Sequence, residues 1–476
     1  MNSVPHGARD ASAVRAAEVS SSEPARIGTL PAGGLSRQMI WLAAPMLGEQ
    51  CLNMLVGFVD TLLAGTISKE ATTAVGAASY MNWIVMLAFS LVGVGASAIV
   101  GRALGARDAA TAGRTLHQAM LLAAAMGVAV CTATFLLSPT FAGFLTRTPA
   151  AFEPTVAYTR IVAFAYLLGS FNLVGSGLLR IAGDTRTPLV VMSVVNVINV
   201  VLSWALVKGV GGLSLGVDGI AIGTLVARSV GGLLMLGVLL RGRGVLRLRV
   251  SELRLHGPTM SRVLRLGLPA AMDTGMMSIA QLLFIRIIAD SGARDAATVN
   301  FAAHIIGVEV EALSYLPAFA WGTATATLVS QYLGAGRPEL ALRAARIALV
   351  HGAILGAATG AIYALFAGPI YGVMTRDHAV IEVGVPAFRI LGAVQPFLCM
   401  AIIATTALRG AGDTRTTMWY SLIGGLLLRV PVAYLGAVVL GGGLIGAWCG
   451  MWADNLVKCA LTTTRVLGGR WRGVRV

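Results

Sequence analysis

The sequence predicts an all-α integral membrane protein of twelve transmembrane helices, arranged as two parallel six-helix repeats around a central cavity. Composition, apolar run lengths and an internal repeat each point there. The 476 residues are 56% apolar and only 12% charged, with a mean hydropathy of +0.79. Soluble domains carry about 25% charged residues. So few charges would leave large apolar patches in water, so the bilayer is the expected solvent. The 58 glycines fit as well, because small residues let membrane helices approach closely.

A helix needs about 20 residues to cross the hydrocarbon. Apolar runs of that order lie at 39–64, 74–100, 116–138, 161–178, 188–207 and 216–240, then at 266–290, 299–330, 345–366, 383–407, 417–440 and 443–464. With the N-terminus in the cytoplasm, the tails and even-numbered loops hold 25 of the 36 Lys and Arg residues, and the odd-numbered loops hold six. The positive-inside rule then places both termini in the cytoplasm and the protein in the plasma (inner) membrane. The same distribution explains the net charge of +15 without a nucleic-acid partner. Residues 1–35, rich in Ala, Ser and Arg, read as a flexible cytoplasmic tail with no signal peptide. Residues 36–240 and 266–466 form the two lobes, 241–265 a basic linker open to lipid headgroups, and 467–476 a basic tail. The five cysteines sit in apolar runs without metal-ligand spacing and read as small core hydrophobes.

The repeat is explicit. Leu179-Arg-Ile-Ala-Gly-Asp-Thr-Arg-Thr187 matches Leu408-Arg-Gly-Ala-Gly-Asp-Thr-Arg-Thr416 at eight of nine positions, at an offset of 229. Leu104-Gly-Ala106 and Leu333-Gly-Ala335 share that offset. The first spans of each half align on Pro45 and Pro269, each followed four residues later by an acid, Glu49 and Asp273. Six spans per half give both halves the same orientation, and parallel repeats place substrate between lobes that rock against each other. Gly183 and Gly412 read as turn residues, Asp184 and Asp413 as caps of the next helix.

Ionisable groups inside spans cost about 2.5–3.5 kcal/mol on insertion scales and mark cavities or pathways. Asp60 lies in span one, and Glu49, eleven residues earlier, returns to the same helix face, so both are expected on one water-filled path. Asn196, Asn199 and Ser203 share a face of span five and, with Asp60, make an oxygen-rich cation site or a set of interhelical hydrogen bonds. In the second half Asn300, His304 and Glu311 lie on one stripe of span eight, Glu311 corresponds to Asn82 of span two, and Asp273 adds a further acid. Asp273, Glu311, His304 and Asn82 are the candidate cavity residues, with Arg286, Arg389 and Arg429 as candidate partners of the acids and Asp454–Lys458 as an i, i+4 pair. None of the three lysines follows a glycine, so no Walker A loop is present, and HExxH is absent too. Coupling to an ion gradient is the remaining common energy source.

These landmarks together resemble the multidrug and toxic compound extrusion (MATE) family. The matching residues are Gly57-Phe-Val-Asp60-Thr, Leu104-Gly-Ala106, Leu179-Arg180 with Gly183-Asp-Thr-Arg186, Asn196 and Asn199. They continue with Ala303-His304, Glu311-Ala-Leu-Ser314, Leu328-Val-Ser-Gln331 and Arg429-Val-Pro431. The resemblance implies export of organic cations and drugs in exchange for protons or sodium, without a cofactor and without enzymatic turnover. Asp60 matches the family's first-span coupling acid and Asn199 its cation-site asparagine, so sodium, if it is the coupling ion, is expected on Asp60 and Asn199. Ser203 stands where many members have Asp or Asn. No acid stands near Cys399-Met400, where some members carry one. The expected partners are small cationic or hydrophobic substrates and membrane lipid, with the protein a monomer. The alternative is a lipid-linked sugar or polysaccharide flippase of the same superfamily, which calls for a basic cavity.

Overall fold

The computed structural model describes residue 30 and residues 33–476 except 147–148, 211, 213, 293 and 475, with the side chains of 83, 294 and 295 left aside. The predicted tail 1–35 falls almost wholly outside the described residues. Among the described residues there are thirteen long helices, two short 3-10 helices (Val250–Glu252 and Arg470–Gly473) and no strand beyond one isolated bridge, Arg243–Leu246. The first half holds α1 (Leu35–Gly65), α2 (Lys69–Gly105), α3 (Ala109–Leu145), α4 (Pro149–Ala163), α5 (Ala165–Ile181), α6 (Arg186–Lys208) and α7 (Gly216–Arg241). The second holds α8 (Gly257–Ala289), α9 (Arg294–Gly334), α10 (Pro338–Met374), α11 (His378–Gly410), α12 (Thr414–Val439) and α13 (Gly443–Gly468).

The predicted all-α membrane architecture is what the chain adopts. Among the described residues ten helices are long and apolar enough to cross a membrane, eleven if α4 and α5, bent by 54° at Phe164, make one span. The 26-residue α13 falls short of that apolarity because Asp454, Asn455 and Lys458 lower its hydropathy. The outer faces are apolar: Phe144, Leu365, Val373 and Leu440 are 85%, 74%, 87% and 74% exposed, as lipid-facing side chains are.

Local chemistry explains the element ends. Ser68, Asp108 and Asp377 accept backbone N–H bonds at the starts of α2, α3 and α11. Gly183 and Gly412 take φ of +89° and +88°, the left-handed turn residues the repeat calls for. Asp184 accepts from the Thr187 N–H and hydroxyl, as predicted for a cap. Asp413 takes the Thr416 hydroxyl instead of a backbone N–H, and Arg465 of α13 pairs with it. The basic linker folds back on α3. Leu246 and Leu248 are buried, His117 accepts the Arg249 N–H, and Gln118 bonds Arg254 and His256, while the linker arginines stay exposed.

One apolar core is built mainly from α1–α7 and reaches Leu246 and Leu248 of the linker, Val263 of α8 and Ala326 of α9, and another lies within α8–α13. The third is shared: Met39, Leu42 and Met46 at the start of α1 bury against Ala324, Leu328 and Ala345 of the second half. The halves meet at the end that carries the linker. There α2 and α9 cross backbone to backbone. A Cβ on Gly105 would strike the Gln331 carbonyl oxygen, and a Cβ on Gly334, its repeat counterpart, would strike that of Arg102. Side chains cross the same seam. Arg102 donates to the Ala411 carbonyl at 2.8 Å, and Gln331, the repeat counterpart of Arg102, donates to the Ile181 carbonyl at 2.7 Å. Thr327 reaches the Arg180 carbonyl, Tyr332 bonds Gln38, and Ser36 bonds His351. Outside the linker, these described hydrogen bonds between the halves all lie at this one end. Toward its other end α1 is largely exposed, with Leu55, Phe58 and Leu62 open.

A side chain at the crossing must push the halves apart. Gly105→Leu is expected to cost about 1–3 kcal/mol in overpacking and to lengthen the distance between spin labels placed at Arg107 and Arg337. An unchanged distance distribution would mean that the crossing does not hold this end closed.

Candidate functional site

The first-half site is assembled from three helices. α6 and α7 are antiparallel neighbours that approach most closely where a Cβ on Gly223 would strike the Ser203 hydroxyl. That contact sets Thr224, the next residue on α7, against Asn199. Asn199 Nδ2 donates to Thr224 Oγ1 at 3.1 Å, and Thr224 Oγ1 donates to Asp60 Oδ2 at 2.9 Å. Asp60, Asn196, Asn199 and Ser203 are all buried. Asp60 Oδ1, Asn196 Oδ1, Asn199 Oδ1 and Ser203 Oγ have no protein hydrogen-bond partner, while Asn196 Nδ2 is spent on the Met192 carbonyl. Buried oxygens are normally satisfied, so this oxygen-rich interior calls for a proton, a cation or water. Among the described residues no three His, Cys, Asp or Glu side chains gather as ligands of a multivalent metal would. One carboxylate with neutral oxygens suits a proton or a monovalent ion.

Glu49 is not part of that site. Both of its oxygens receive the Arg180 guanidinium at 3.0 Å, so the predicted shared path with Asp60 is replaced by an ion pair. Asp273 is corrected in the same way: Arg409 holds it at 2.6 Å, which removes it from the candidate cavity residues. These pairs are repeat counterparts, an acid four residues after the first-span proline held by the arginine of the Leu-Arg-x-Ala-Gly-Asp motif. That repetition in both halves was the signal available in the sequence.

The remaining candidates scatter. Asn82 accepts from Arg228 Nη1 at 2.9 Å in the first half, where the Arg228 guanidinium also lies over Tyr166. Thr224, Arg228 and Tyr158 border Asp60 and were missed as site residues. The i, i+4 spacing of Thr224 and Arg228 on one face of α7 could have drawn attention to them. His304 is packed between Phe284 and Trp448 and accepts the Trp448 indole N–H, a role in packing rather than in a cavity. Asn300 is tied to Ser291. Glu311 is 1% exposed with neither oxygen partnered. Of the expected arginine partners, Arg286 pairs with exposed Asp290, Arg389 is exposed, and only Arg429 lies near Glu311. The Asp454–Lys458 pair forms at 3.1 Å.

The profile of the MatE family matches residues 45–205 and 269–435. A probable multidrug resistance protein NorM of Thermotoga maritima is 31% identical over 439 residues, covering 92% of this chain and 93% of its own length. The multidrug resistance protein PmpM of Pseudomonas aeruginosa is 25% identical, covering 84% of this chain and 83% of its own. Among solved structures, MATE in the bent conformation superposes with a TM-score of 0.84 at 21% identity, covering 92% of this chain and 97% of that one. A MOP-superfamily transporter from Pyrococcus furiosus, described as having a binding pocket of reverse polarity that suggests a different function, gives the same TM-score over 92% of this chain and 96% of that one.

The assignment of Glu49 to an ion pair has a direct test. Glu49→Gln leaves Arg180 unpaired and is expected to destabilise the protein by on the order of 2 kcal/mol, discounted because Arg180 is partly exposed. Adding Arg180→Gln should recover part of that loss in the thermal unfolding midpoint. Additive losses in the double variant would show that the two groups do not act as a pair.

Proposed function

The chain belongs to the MatE family, and on that premise we propose that this multidrug efflux transporter exports small organic cations by antiport against protons or sodium, with Asp60 as the coupling acid. The observation that carries the reading is the pairing pattern. Glu49, equally buried in α1, is fully claimed by an arginine, whereas Asp60 takes one hydrogen bond from neutral Thr224 and keeps one oxygen free. An acid held that way is available to a coupling ion or to a cationic substrate, one at a time. Asn199 and Thr224 lend neutral oxygens, and Asn196 and Ser203 line the same helix face.

The two lobes, 36–240 and 266–466, are the units proposed to move, with 241–265 as their tether and α13 as the twelfth span. The excess of basic residues puts the closed seam of α2 and α9 on the cytoplasmic side of the inner membrane, with both termini. The structure then corresponds to the state open to the outside, from which proton or sodium binding at Asp60 releases substrate. Differential affinity of the two states for substrate and ion drives the cycle. The protein is proposed to act as a monomer in contact with lipid, the coupling ion its only co-reactant, and no nucleic acid takes part. One observation favours the flippase alternative: Arg228 lies close enough to Asp60 to act on it electrostatically and gives that interior a basic group.

Reconstituted protein is expected to move a fluorescent cationic dye under an imposed proton or sodium gradient, and Asp60→Asn to lower the rate at least about tenfold, a loss of 1.4 kcal/mol or more. Full dye transport by Asp60→Asn would sink the assignment. Dye transport absent in wild type, with a lipid-linked sugar translocated, would favour the flippase.

A further inference from the structure

We propose that Glu311 of α9 and Gln395 of α11 form a second proton-binding site, inside the second half of the molecule. It rests on the antiport reading for its role in transport but not for its chemistry.

Glu311 is 1% exposed and Gln395 is 0% exposed. Neither oxygen of Glu311, and neither the oxygen nor the nitrogen of Gln395, has a hydrogen-bond partner at ordinary geometry, yet the two side chains lie side by side. A buried carboxylate left unsatisfied is costly, as is a buried amide. Here each supplies what the other lacks. A carboxamide carries both a donor and an acceptor. When Glu311 is protonated, its O–H donates to Gln395 Oε1. When the proton leaves to water, the amide turns and Gln395 Nε2 donates to the carboxylate. A sodium site has no use for the donor, whereas a proton site uses both ends.

The charged and titratable groups around the pair agree. Tyr315 on the same helix lies against Glu311, Tyr363 of α10 spends its hydroxyl on the Val310 carbonyl, and Cys399 of α11 is a further neighbour. From α12 comes Arg429, 6% exposed, with its Nη2 on Gln281 and its guanidinium 4.3 Å from the Phe284 ring centre. It compensates the ionised state at a distance and disfavours a second cation beside it. Asp454 of α13, the other acid near Arg429, is taken by Lys458.

The repeat shows why this acid stands out. Glu49–Arg180 and Asp273–Arg409 are equivalent and paired. The counterpart of Glu311 is Asn82, a neutral amide already bonded to Arg228. The counterpart of Asp60, at the offset that aligns the first spans, is Phe284. Each half therefore keeps one buried acid free of an ion pair, drawn from non-equivalent helices.

The test is infrared difference spectroscopy of the purified full-length protein in sodium-free buffer, following protonated-carboxyl C=O bands as pH falls. Two bands are expected. Glu311→Gln should remove one and leave the other, whose persistence also shows that the variant is folded. Gln395→Leu should shift the Glu311 band by removing its acceptor. An unchanged spectrum in Glu311→Gln, an unshifted band in Gln395→Leu, or removal of the Glu311 band by sodium chloride at constant pH would overturn the proposal. If Asp60→Asn leaves both bands in place, the Asp60 coupling assignment fails while the Glu311 site stands.

Discussion

The backbone crossing of α2 and α9 is the contact on which the rest of the molecule depends. Two helices can meet there only because Gly105 and Gly334 offer no Cβ to the opposing carbonyls of Gln331 and Arg102. With no hydrophobic driving force between helices in lipid, close packing and interhelical hydrogen bonds must hold such a seam. The crossing brings Arg102 and Gln331 within reach of carbonyls at the opposite half's tight turn. Those carbonyls, Ala411 and Ile181, belong to helix ends that lack intrahelical donors. The seam thus satisfies groups that the bilayer could not, and breaking it requires water to take their place.

The molecule separates scaffold from site by symmetry. What repeats in both halves is structural: the glycine crossing, the Gly-Asp-Thr-Arg-Thr turns, and the Glu49–Arg180 and Asp273–Arg409 pairs. What does not repeat is the placement of the unpaired acids, on α1 in one half and α9 in the other. An ion pair tying the first span of each half to the arginine at the end of its fourth span makes each half resist internal shear. That stiffness is what the proposed alternating access between parallel repeats would call for, since the halves would move relative to each other while keeping their own shape.

Much of this was legible in the sequence because its signals are local. Apolar run length marked the helices, and the 229-residue offset pointed to equivalent turns and helix crossings such as Gly105 and Gly334. Glycine and aspartate at 183–184 and 412–413 gave the turns. The sites were read less well because face-sharing on one helix says nothing of what approaches from another. Glu49 and Asp60 do lie on related faces of α1, yet Arg180 arrives at one and Thr224 at the other. Arg286 and Arg389 sit in apolar runs and point outward, while Arg409, at a helix end, turns inward. The linker reads as a basic topology determinant, and its sequence does not show that two leucines and backbone bonds to His117 and Gln118 fold it onto α3 while its arginines stay exposed. The twelfth span is ambiguous for a related reason. Two of the polar residues that lower the hydropathy of α13, Asp454 and Lys458, are turned toward α12, where a Cβ on Gly424 would meet both.

The pairing pattern also bears on how a coupled transporter avoids leak. An ionised acid left alone in the membrane interior costs about 2.5–3.5 kcal/mol on insertion scales, so a buried acid is neutralised by an arginine or by something that can leave. Arginine is protonated at all relevant pH values, so Arg180 and Arg409 offset the carboxyls of Glu49 and Asp273 without any mobile charge. Asp60 and Glu311 have no arginine at ion-pair distance among the described residues, only Arg228 and Arg429 acting from further off, so a mobile charge is what would complete their compensation when the protein closes over them. On the proposed antiport reading, the mobile charge for Asp60 is a coupling ion or a cationic substrate, and the α1 segment that bears it lies toward the end away from the seam. On that reading, closing that end over an empty Asp60 would leave a charge that Arg228 offsets only in part, so the return step is slow unless one of the two is bound. Under the proposed antiport, exchange rather than leak then follows from electrostatics, with no separate gate needed to enforce it.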